Sequence, residues 1–170
     1  PGMDRSLLAD AFDHHVWATM RLIETCAALN PEQLETTVTG TYGSIVDTLR
    51  HLVGADVAYL EVLDGEQEAF EHGHATLGDL RTRMARHQHA WERVLEAGPD
   101  PDAPAVRYRD DGSEGHAPIG VRLAQALHHG SDHRSQVCTT LTSLGIRPPD
   151  IDVWSLAESQ GRYREVPPHE

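Results

Sequence analysis

A chain of 170 residues is long enough for one domain whose apolar core needs neither disulfides nor partners. Its 14 basic residues, all arginine, face 27 acidic ones for a formal net charge of -13, and the arginines are scattered along the chain among Asp and Glu. This balance argues against nucleic acid and anionic membrane surfaces, which need clustered cations, and no apolar run approaches the roughly 20 residues that span a bilayer.

The amino terminus lacks the basic, apolar and small-residue succession of a secretory signal, so a soluble cytoplasmic protein is expected. Pro1 and Gly2 are set aside as an addition ahead of Met3, the expected native start. From Asp4 to Asn30, Leu8, Phe12, Leu22, Ile23 and Cys26 recur every three or four positions, which predicts an amphipathic helix ended by Pro31. Ser44 is the expected cap of a second helix through Ile45, Leu49, Leu52, Val53, Leu60 and Leu63 to Gly65. A third starts at Thr76, with Asp79 three positions on, and carries Leu77, Leu80, Met84, Trp91 and Leu95 to about Gly98. Residues 98–117 read as a loop with modest strand character, where Val106–Arg109 and the following Asp-Asp-Gly-Ser-Glu-Gly form a short hairpin. A fourth long helix runs from about Pro118 to Gly145, and a short fifth from Asp152 to Gln160. The fold class is therefore all-α: a four-helix bundle, antiparallel with a crossover left open by the loop lengths, plus a short C-terminal helix. Residues 3–165 form the expected single domain and 166–170 a polar tail.

Twelve histidines make chance spacing a real alternative: about one pair four residues apart is expected at random, and one occurs, His129 and His133. At about 100° per residue both fall on the side that carries Ala126, Val137, Thr140 and Leu144, whereas His128 projects away and is expected in solvent. Two imidazoles one turn apart on an inward face are placed to share a metal ion, with a third ligand from another helix. His51, flanked by the small residues Ala55 and Ala58, is the candidate. His15 lies on the apolar stripe of the first helix and stands as fourth ligand, second sphere of the site or pocket lining. His72, His74, His87, His89, His116 and His169 lie in polar surroundings and are assigned to the surface. Trp17, Trp91 and Trp154 are read as packing residues, and Cys26 and Cys138 as buried free thiols.

The strings Ser44-Ile45-Val46-Asp47-Thr48-Leu49-Arg50-His51-Leu52 and His129-Gly130-Ser131-Asp132-His133-Arg134-Ser135-Gln136 together resemble the DinB-like helical-bundle superfamily, in order and in helix placement. The resemblance covers nearly the whole chain and implies that His51, His129 and His133 bind one divalent metal ion, zinc or nickel above others. Ser135 stands where the family's familiar ending has Gly.

Family members include transferases and isomerases that use low-molecular-weight thiols such as mycothiol or bacillithiol. The resemblance thus implies a metal-dependent thiol S-transferase whose partners are a small-molecule thiol and an electrophile, and a homodimer is expected. Three nitrogen ligands leave a tetrahedral ion one open position, and coordination there makes a thiolate available at neutral pH. Two alternatives use the same three ligands: a non-catalytic metal-binding, stress-associated protein, and a metal-dependent hydrolase, for which Asp47 lies one turn from His51. Beyond the metal, only His15, Tyr108 and Arg134 suggest a polar pocket.

Overall fold

Several helix starts in this chain are written by local capping, and the computed structural model, which describes residues 5–65 and 67–168, shows those caps in use. Helix α1 (Ala9–Cys26) fills the first expected helix, and a short helix α2 (Pro31–Leu34) that was not expected follows it. Asn30 accounts for α2: its side chain accepts from the Gln33 N–H while the Gln33 amide accepts from the Asn30 N–H, so a new turn starts there. Ser44 caps α3 (Ile45–Leu63), and Thr76 caps α4 (Leu77–Glu96) in a capping box with Asp79. The antiparallel hairpin β1 (Pro104–Tyr108) and β2 (Glu114–Pro118) leads directly into α5 (Ile119–Ser143), so Pro118 stands just ahead of that helix. Asp152 caps α6 (Val153–Ser159).

The four long helices bury one core, to which α1 gives Phe12 and Leu22, α3 Leu49 and Leu60, α4 Met84 and Trp91, and α5 Val137 and Leu141. Around the bundle the order is α1, α4, α3, α5, each packed on the next and α5 back on α1. Directions follow from side-chain pairs. Arg81 meets Glu24 and Gln88 meets Asp13, so α1 and α4 run oppositely. Gln136 meets Tyr42 at one end and Gln125 meets Tyr59 at the other, so α3 and α5 do too. His87 meets Asp56 and Arg93 meets Asp64, so the neighbours α3 and α4 run the same way. The crossover left open by sequence is thus the α3–α4 connection, which returns along the bundle and contains a 3-10 turn at His72–His74. Behind α5, the His14 Nε2–H donates to the Ile151 carbonyl at 2.7 Å and ties the segment before α6 to α1.

Trp91 packs as expected, but Trp154 is 64% exposed and stacks only on Tyr163, because α6 lies outside the four-helix core. Cys26 is buried, and burial pushes its thiol up to about 12; Cys138 is half-buried.

Candidate metal centre

His51, on α3, and His129 and His133, on α5, converge where the two helices pack side by side, each offering a ring nitrogen within 4.8 Å of the others. The His51 and His129 Nε2 atoms lie 3.0 Å apart. Two donors held at zinc–imidazole distance from one tetrahedral ion are separated by about 3.3 Å, so the pair is close to the required bite. The His133 Nδ1–H donates to the Gln136 side-chain oxygen at 3.1 Å, which turns Nε2 toward the other two rings. The same oxygen accepts from the Tyr42 backbone N–H at 3.0 Å. Tyr42 stacks on His51 with centroids 4.1 Å apart, and Tyr59 meets His129 edge-on at 6.0 Å.

Burial, then His133 and His51, lowers His129 to about 4, and burial, then His133 and His72, lowers His51. Both rings are therefore neutral near pH 7 and present lone pairs, the state a metal requires. The donor set fits one ion of borderline character, three imidazoles with room for an exogenous ligand.

The site is less interior than helical phase suggested: His133 is buried, whereas His51 and His129 are half-buried at the solvent edge of the α3–α5 seam. Towards the core from this edge, a second set of polar groups occupies the positions expected to be inward. Asp56 is fully enclosed and accepts from His15 Nε2 at 2.9 Å, His87 Nδ1 at 3.3 Å and Trp91 Nε1 at 3.2 Å. Burial raises its carboxyl, but His15 and His87 outweigh that and hold it well below the usual range. Arg134 donates to His15 Nδ1 at 3.2 Å and to Thr19 Oγ1 at 3.1 Å. With both ring nitrogens engaged, His15 has none left for a metal ion; it bridges a buried arginine and a buried carboxylate.

Other expectations change for physical reasons. His87 is 1% exposed rather than at the surface, since it sits on the stripe of Leu80, Met84 and Trp91; that spacing was its signal. His74, His89, His116 and His128 are exposed, and exposed His72 lies against Gly54 of α3, while His169 falls outside the described residues. Arg134 is a core residue, and Tyr108 is 74% exposed on the hairpin. Asp47 points to solvent beside Arg50, so it is no buried base. Sequence reasoning missed Gln136, which its position three after His133 could have indicated, and Tyr42, a loop residue with no periodic signal. A cavity of about 610 Å³ lies elsewhere, between α1 and α4, around Phe12, Asp13, Trp91 and Glu92.

A family model described as the DinB family matches residues 3–167. The chain belongs to the DinB family. No curated protein matches it. The two strings that carried the resemblance bring the three histidines of this DinB chain together across α3 and α5, and among the described residues no helix is long and apolar enough to cross a membrane.

Proposed function

We propose that this DinB-family protein is a metal-dependent thiol S-transferase, with His51, His129 and His133 holding one zinc or nickel ion. The observation that carries the reading is the cluster itself: three imidazoles at ligand spacing, with His51 and His129 held neutral near pH 7 at the half-exposed edge of the seam. When bound, the ion acts as a Lewis acid that lowers the pKa of a thiol at its open position. Gln136 orients His133, and the Tyr42 ring covers one face of His51 and keeps water from it. The half-exposed edge admits a small thiol of the mycothiol or bacillithiol kind and an electrophile, whose carbon receives the sulfur as its leaving group departs. A cytoplasmic homodimer is part of the same proposal, and two free cysteines agree with a reducing compartment.

Elemental analysis of the purified protein should find about one ion per chain, lost in His51→Ala, His129→Ala and His133→Ala. Thiol should then disappear in the presence of chlorodinitrobenzene or a bimane only when the metal is present. No turnover with any candidate thiol would sink the enzyme reading, and full metal content in all three variants would sink the site.

A further inference from the structure

Three arginines without a carboxylate partner gather at one place. Arg5, Arg81, Arg86 and Arg93 pair with carboxylates, as expected in a chain with a net charge of -13. Among the described residues Arg107, Arg109 and Arg122 pair with none, and they meet at one place, around Gly115 of the hairpin. Arg107 lies opposite Gly115 in the β1–β2 register, and the Arg109 Nη2 would stand 3.1 Å from a Cβ at Gly115. From α5, the Arg122 Nη2 donates to the Ala105 and Gly115 carbonyls at 3.0 and 2.6 Å.

Glu114 and Asp111, two neighbouring acids, have partners of their own. Glu114 pairs with Tyr108 in the register, on the alternate side of the ribbon from Arg107, and it accepts from His116 Nε2 at 2.7 Å. Asp111 accepts from the Ser113 N–H at 2.9 Å, and these Ser113 bonds, more than Arg109, hold its carboxyl down. Arg122 retains a buried Nε–H with no acceptor. Burial first, then Arg107 and Arg109, lowers it, as expected for a cation surrounded by its own sign. An unmatched buried donor within a cluster of like charges calls for an anion.

The position gives the cluster a use. β1 packs on α3 and β2 on α5, so the hairpin closes one end of the seam that holds the histidines. Arg122 is seven residues before His129, two turns along the same face of α5 and about 10 Å away by helical rise. Gln125 and Tyr59, joined at 3.4 Å, lie between them.

We propose that Arg107, Arg109 and Arg122 form an anion-binding site that takes the carboxylate or phosphate group of a small molecule lying along the α3–α5 seam. The statement that this molecule also reaches the histidines rests on the function proposed above; anion binding does not. Planar guanidinium groups suit both oxyanions, since each offers paired N–H donors.

The test uses the full chain and two probes, inorganic phosphate and succinate, titrated separately at constant ionic strength while arginine Nε–H and backbone amide resonances are followed. A saturable response at Arg109, Arg122 and the hairpin amides is expected with at least one probe, and the stronger probe identifies the chemical source. Arg107→Gln with Arg109→Gln, both exposed and remote from the core, should weaken it about tenfold or more, with the hairpin amides reporting that the ribbon is intact. No saturable response to either anion, or one unchanged in the double variant, overturns the assignment. His51→Ala should keep the response while losing metal; a response abolished there would place the anion at the histidines and overturn it as well.

Discussion

At the residue scale, the charged groups that matter are enclosed ones. Asp56 and Arg134 balance one another through His15, which donates from Nε2 and accepts at Nδ1, so a buried negative and a buried positive charge share a hydrogen-bonded ring. Removing one partner strands the other in a low-dielectric interior, and Asp56→Ala should cost about 3–5 kcal/mol. Urea unfolding measures this, and Trp91 fluorescence should shift as its indole N–H loses its acceptor; a loss below about 1 kcal/mol would refute the assigned balance. Protonation works in a different window. His129 sits near 4 in the fold against the usual 6.5, so as pH falls from 6.5 the unfolded chain binds a proton that the folded ring refuses until about 4. Its contribution is complete above 6.5 and is lost through that interval, with His51 acting in the same direction. Metal-free protein should therefore show urea midpoints that drop between these pH values, and less steeply in His129→Gln; equal slopes would overturn the prediction.

At the scale of elements, close approach decides the helix pairs. A Cβ on Gly130 would lie 2.4 Å from His15 Cε1, and that ring is pinned from both sides, so α5 would have to move off α1. Gly130→Ala should destabilise by about 1–3 kcal/mol, even though alanine is the better helix former by about 1 kcal/mol. Gly54→Ala also meets a ring, His72 at 2.7 Å, but that side chain is exposed on a short turn and free to rotate away. Chemical denaturation should rank Gly130→Ala well above Gly54→Ala, and the reverse order would discredit the packing argument. Most elements were readable from local signals: Ser44, Thr76 and Asp152 cap helices where the sequence suggested, and the hairpin follows its turn residues. The short α2 was less visible because four residues are too few to show an apolar period, and only the Asn30 capping box marks it.

For the whole molecule, the seam between α3 and α5 links binding to stability. An ion held by both helices binds only the folded chain, so at 100 times its dissociation constant it should add about 2.7 kcal/mol. At roughly 2–4 °C per kcal/mol for a chain of this size, the melting temperature should rise by about 5–11 °C with zinc or nickel. A chelator should reverse the rise and His51→Ala should abolish it; no rise in the native chain would count against metal binding. By itself the sequence determined the all-α class and the capped helix starts, because caps and apolar period are local properties, while the three histidines were legible through the two strings that carry the family resemblance. Only the tertiary structure decided which polar groups face one another. Helical phase does not say which neighbour a face meets, so His15 and His87 turn out to serve Asp56 rather than a metal or the surface. The same reason hid the convergence of Arg107, Arg109 and Arg122, scattered in sequence and joined only when the hairpin folds onto α5.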